Sequence, residues 1–112
     1  MDKLDMAVSG ARNYLERNGF KNVRYYMAHK PCNLDAEKDG VFYDVLVLNA
    51  DEGFEIDWKT LEGLISIPQS VKNHRVLLFF SSDFGQALFE LHNGRIFSQE
   101  YGEGFIRKTS KR

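Results

Sequence analysis

Apolar positions return at helical spacing between Asp2 and Asn18, where Leu4, Ala7, Val8, Ala11, Tyr14 and Leu15 gather on one side while Lys3, Arg12, Glu16 and Arg17 fall elsewhere. The pattern predicts a first helix. Asp2 and Asp5 suit its positive end, and Asn18-Gly19 supplies a left-handed stop before Phe20 turns back onto it. From Asn22 to Ala28 the period changes to two: Val23, Tyr25 and Met27 alternate with Arg24, Tyr26 and Ala28, as in a half-buried strand. The polar stretch HKPCNLDAEKDG, with Pro31 near its start and Asp-Gly at its end, reads as a surface loop.

Val41 to Leu48 is apolar on both faces except at Asp44, the pattern of a strand covered on both sides and central in its sheet. Ala50-Asp51-Glu52-Gly53 reads as a four-residue hairpin loop, which pairs Asn49 with Phe54, Val47 with Ile56 and Val45 with Trp58. In that register Phe54, Ile56 and Trp58 share the apolar face of Val45 and Val47. Asp44, Glu55, Asp57 and Lys59 share the other, with Asp44 opposite Lys59 and diagonal to Asp57.

Thr60 is placed to cap a short helix through Leu61, Leu64 and Ile65, interrupted near Pro68. Arg75 to Phe80, RVLLFF, has the length and composition of a buried strand. The segment after it carries two patterns. Phe84, Ala87, Leu88 and Leu91 fall at i, i+3, i+4 and i+7 after a capping Ser82, yet Asn93-Gly94 is also a strong hairpin signal. The helix is favoured, because the hairpin leaves Glu90 facing Phe97.

Together these elements predict one α/β (α+β) domain over residues 1–112, with an N-terminal helix and a central mixed sheet of four to five strands with helices on its faces. Residues 102–112 read as a flexible basic tail. A chain of 112 residues, 43% hydrophobic and 28% charged, is long enough to bury one core unaided. No apolar run approaches a membrane span, the start lacks a secretory h-region, and the lone Cys32 offers no internal disulfide, so the expected setting is the cytoplasm.

Charge is nearly balanced at −1 but uneven: residues 33–62 hold nine acids against two lysines, while Arg107, Lys108, Lys111 and Arg112 crowd the last six positions. Neither nucleic acid nor protein is excluded as a partner. Hydrolysis of a phosphodiester needs a divalent metal held by carboxylates, with a lysine to position water or offset charge, and Asp44, Asp57 and Lys59 supply those groups. Here the chain resembles the PD-(D/E)xK, or restriction-endonuclease-like, nuclease superfamily, with an aspartate on one strand and an acidic-x-Lys, Asp57-Trp58-Lys59, on the next.

The resemblance extends to the order helix, strand, strand with Asp, strand with acidic-x-Lys, helix, strand and helix, over about Ala7 to Leu91. It implies Mg²⁺ or Mn²⁺ on Asp44 and Asp57, assistance from Lys59, and supporting roles for Glu55 or Gln69. The chain departs from the family in having no Pro before Asp44, Asp rather than Glu at 57, no clear family glutamate in the first helix, and Pro68 in the following one. The plain alternative for Glu55, Asp57 and Lys59 is a solvated strand face with cross-strand ion pairs, and for Asp44 a structural pair with Lys59.

His29 and Cys32 lack the second ligand pair of a zinc site, and His74 and His92 read as boundary residues. The competing function is a non-catalytic binding or inhibitory module, immunity-type or regulatory, acting on a protein partner through acidic loops and aromatics such as Tyr25, Tyr26 and Phe105. A third reading keeps the nuclease fold without its chemistry, for nucleic-acid binding through the basic tail.

Overall fold

The computed structural model describes residues 3–25, 32–51, 53–67, 74–83, 85–98, 102–103 and 106–109. Helix α1 (Lys3–Arg17) buries Val8, Ala11 and Leu15. Gly19, at φ 89°, lets the chain reverse: its N–H donates to the Glu16 carbonyl, and the Phe20 N–H to the Leu15 carbonyl at 3.0 Å. Phe20 is thereby returned to the core, 8% exposed, as expected.

Three antiparallel strands follow: β1 (Lys21–Tyr25), β2 (Leu34–Lys38) and β3 (Val41–Asn49). β2 lies inside the stretch that the sequence suggests is loop. LDAEK is short and charged, but Leu34 and Ala36 alternate inward at 0% and 3% exposure. The Asp39-Gly40 dipeptide, at φ 52° and 78°, is the two-residue turn that folds β2 onto β3.

β3 is central, as its composition predicts, with β2 antiparallel on one side and β5 (His74–Ser82) parallel on the other. That arrangement overturns the hairpin expected to pair Asn49 with Phe54, Val47 with Ile56 and Val45 with Trp58. The continuous apolar run of β5 takes the edge of β3 from Phe42 to Asn49, pairing Val47 with Phe79 and Asp44 with Val76. β5 buries apolar side chains on both faces, more than Phe54, Ile56 and Trp58 offer. After the turn closed by Gly53 N–H to the Ala50 carbonyl, β4 (Glu55–Asp57) leaves the main sheet. It leads into helix α2 (Trp58–Ile65), which crosses back to β5.

The favoured helix over Asp83–Leu91 is also overturned. β6 (Gly85–His92) and β7 (Arg95–Ser98) form a hairpin through Asn93-Gly94, at φ 52° and 75°. Glu90 does face Phe97, and it is accommodated because Arg75 on β5 reaches its Oε1 at 3.0 Å. β8 (Gly102–Glu103) extends this edge, and β9 (Arg107–Thr109) pairs in parallel with β4, so part of the expected loose tail is ordered strand.

The result is an α+β fold dominated by strands: a mixed seven-stranded sheet, more than the four to five expected, in the order β1-β2-β3-β5-β6-β7-β8, and a two-stranded β4-β9 pair. α1 covers one face over Val45, Val47, Leu77 and Phe79, while Leu61 and Leu64 of α2 bury Leu46, Leu78, Phe80 and Phe89 on the other. Among the described residues, no helix is long and apolar enough to cross a membrane.

Candidate functional site

Asp57 ends β4 and starts α2. Its backbone is extended (φ −79°, ψ 151°), and its two carboxylate oxygens accept from the Thr60 N–H at 2.9 Å and the Thr60 hydroxyl at 2.8 Å. This is the helix N-cap that the sequence suggests Thr60 would supply. Asp-x-x-Thr places the acceptor three residues before the donor, and the carboxylate also faces the positive end of α2. Lys59 is exposed in the first turn of α2. Glu55 pairs with the Arg107 guanidinium on the neighbouring β9.

Asp44 occupies a different environment. It is 2% exposed, the only polar or charged residue among the buried described ones, and its Oδ2 lies 2.9 Å from His74 Nε2. The expected neighbour, Lys59, belongs to α2; the cross-strand partners of Asp44 are Asp35 on β2 and Val76 on β5. Arg24 on β1 holds Asp35 with two bonds, Nη2 to Oδ2 at 3.0 Å and Nε to Oδ1 at 3.3 Å. Charged groups therefore run across three strands on one sheet face, Arg24 beside Asp35 and Asp35 beside Asp44.

Cys32 closes the cluster. Its thiol is 1% exposed and pushed up to about 12, first by burial and then by the negative charge of Asp44. A thiol held neutral in this way is a packing group rather than a nucleophile. His74 and Cys32 are the partners that the sequence reading does not connect to Asp44. A buried carboxylate demands a donor, and that requirement is readable; that the donor stands 30 residues later follows only from the parallel β3–β5 pairing.

Two surface depressions frame these residues. An acidic one of about 400 Å³ lies at the end of β3 and the start of α2, lined by Asn49, Asp51, Glu55 and Asp57, without Asp44 or Lys59. A larger groove of about 450 Å³ lies on the α1 side among Tyr14, Tyr43, Leu88 and Phe97, with Lys38 and Glu90 at its margins. Burial and the Glu90 charge raise the Tyr43 hydroxyl above its ordinary range.

Glu55 and Asp57 thus share one depression, whose lining does not include Asp44. Gln69, Tyr26, His29 and Phe105 lie outside the described residues. Among the described residues, no group of three or more His, Cys, Asp or Glu is placed to hold a metal ion. The residues offered for Mg²⁺ or Mn²⁺ do not converge through the strand register on which that expectation rests, since β4 pairs with β9 and not with β3.

No protein-family model, curated protein or solved structure matches this chain.

Proposed function

We propose that this chain is a small non-catalytic binding module that docks on a protein partner through the outward stripe of α2. The observation that carries the reading is the placement of Trp58 and Ile65. They are 47% and 48% exposed, stand two helical turns apart on one side of α2, and are separated by about 10 Å along the axis. Leu61 and Leu64, turned from them around the axis toward the core, lock the helix in place at 1% and 0% exposure. A tryptophan and an isoleucine presented by a rigid helix are the kind of anchors that dominate protein interfaces. Glu62 and Lys59 provide a polar rim. The carboxylates required by the catalytic reading already have structural work: Asp57 caps α2 and Asp44 bonds His74.

A second reading has one observation in its favour. Apart from the short β4, the order helix, three antiparallel strands, helix and a parallel strand follows the start of the nuclease-like order, and on those strands Asp35 stands opposite Asp44. Two residues past Asp44 lies Leu46, buried at 5%, where the family pattern would carry lysine. The reading is then a nuclease-related fold without its full catalytic set, with nucleic acid as partner.

The test is a photo-crosslinking residue at Glu62, used in cells in wild type and in Trp58→Ala, beside DNA and RNA cleavage assays with Mg²⁺ or Mn²⁺. Expected are a protein adduct lost with Trp58→Ala and no cleavage. Cleavage abolished by Asp44→Asn and Lys59→Ala would refute the binding-module reading.

A further inference from the structure

Helix α1 packs chiefly on β1, β3 and β5, so among the described residues the same face of the sheet is open over β6 and β7. Alternate residues of a strand share a side, and Leu88 lies against the α1 core, so Glu90 and His92 follow it on that face. Arg95 and Phe97 stand opposite them across the β6–β7 ladder. Two depressions adjoin here, and Phe97 lines both. The larger is the groove of about 450 Å³, and the smaller, of about 290 Å³, is formed with His92, Asn93 and Arg95 at the turn. Concavities of this size suit small ligands, and neither belongs to the outward stripe of α2.

The larger groove offers rings and two uncommitted polar atoms. Tyr14, Tyr43 and Phe97 are half-buried, and Phe20 braces Tyr43 edge-on with 5.3 Å between ring centres. Such surfaces accept a planar ring by stacking. Glu90 gives its Oε1 to Arg75, and no hydrogen bond engages its Oε2 or the Tyr43 hydroxyl. The carboxylate can only accept, while burial and the nearby Glu90 charge keep the hydroxyl protonated, and so a donor, at neutral pH. An acceptor beside a donor matches a ring that carries an amino group next to a ring nitrogen.

The smaller depression has another character: its described lining holds an amide, an imidazole and a guanidinium, and no carboxylate. His92 Nδ1 is buried without a hydrogen-bond partner, so the ring is not anchored through that atom. Arg95 is exposed, and its fork of five N–H donors can hold an anion while keeping a contact within the fold. From the Glu90–Phe97 pair to the His92–Arg95 pair is two residues along the strand, about 6.8 Å. A sugar covers that separation between a base and its phosphate.

We propose that this face binds a nucleoside monophosphate whose base is adenine or cytosine, the ring lying against Tyr43 and Phe97 and the phosphate held by Asn93 and Arg95. The amino group of the base donates to Glu90 Oε2, and the Tyr43 hydroxyl donates to the neighbouring ring nitrogen. A net charge of −1 favours a single phosphate over a polynucleotide.

Isothermal titration of the 112-residue chain with adenosine, cytidine and uridine monophosphates, beside adenosine and inorganic phosphate, tests it. The adenosine or the cytidine monophosphate is expected to bind at least about tenfold more tightly than the uridine one, the nucleoside or phosphate alone. Arg95→Gln is expected to bring adenosine monophosphate down to the level of adenosine, and Tyr43→Phe, which keeps the ring, to weaken it by about tenfold. No binding at millimolar ligand, equal binding of the uridine compound or of the nucleoside, or indifference to Arg95→Gln overturns the proposal. An oligoadenylate bound more than about tenfold more tightly than the mononucleotide assigns the face to a polynucleotide and overturns it too. Where a variant does not fold by circular dichroism, amide chemical shifts of the wild type decide: adenosine monophosphate is expected to move those of Glu90–Phe97, and unmoved shifts there refute the site.

Discussion

His74 Nε2 lies 2.9 Å from Asp44 Oδ2, joining the first residue of β5 to the middle of β3 where the sheet is parallel. Asp44 is nearly sealed from water and His74 is largely covered, with side-chain exposures of 3% and 16%. Removing one partner of such a pair leaves the other desolvated with less compensation. His74→Ala is expected to cost about 2–4 kcal/mol in urea unfolding. Asp44→Ala together with His74→Ala is expected to cost less than the sum of the two by about 1 kcal/mol or more. Strict additivity would show that the contact carries no coupling.

Cys32 supplies a kinetic and a pH prediction. Its folded thiol titrates near 12 against an ordinary value of 9.0, so above pH 9 the unfolded chain releases a proton that the folded chain retains. This contribution to stability is complete below pH 9 and declines as pH rises toward 12. In native protein at pH 8 the thiol is expected to react with Ellman's reagent only as fast as the chain opens, and freely in denaturant. Rapid native labelling would contradict the burial.

The parts of the fold that local pattern governs are legible in the chain. α1 follows from its apolar spacing and its Asn-Gly stop, and the central place of β3 from apolar residues on both faces. The failures occur where two segments compete for one partner. β5 displaces Phe54–Trp58 from the edge of β3, and with that one change Asp57 becomes a cap, Trp58 moves to the surface and Asp44 finds His74 instead of Lys59. Periodicity likewise describes Ala87, Leu88 and Leu91 as a helical face, while Asn93-Gly94 describes a hairpin. The hairpin prevails because Val76–Ser82 of β5 needs an antiparallel neighbour on its open edge, and β6 pairs with it along that length. At the candidate site, the demand of Asp44 for a donor is local and readable, whereas the identity of the donor is a property of the sheet.

The β6–β7 turn yields a backbone test. Gly94 sits at φ 75° with nothing within 4 Å of an added Cβ, so replacement costs conformational strain without a clash. Gly94→Ala is expected to destabilise by about 1–2 kcal/mol. Asn93→Gly, at φ 52°, is expected to change stability by less than about 1 kcal/mol. Thermal unfolding of both variants measures the difference, and equal losses would mean that the turn does not depend on left-handed backbone at position 94.

Asp57 separates structural from catalytic use of an acid. Its Oδ1 and Oδ2 bond the Thr60 N–H and hydroxyl, so its role as cap depends on acceptor oxygens rather than on charge alone. Asp57→Ala is expected to lose about 1–2 kcal/mol, whereas Asp57→Asn and Asp57→Ser keep an acceptor for the helix and lose less than about 1 kcal/mol. Thr60→Val, which removes only the hydroxyl donor, is expected to fall between them. Unfolding free energies establish that order. If Asp57→Asn proves as damaging as Asp57→Ala while both remain folded, then the negative charge itself is required, and the carboxylate has an electrostatic task that capping does not explain.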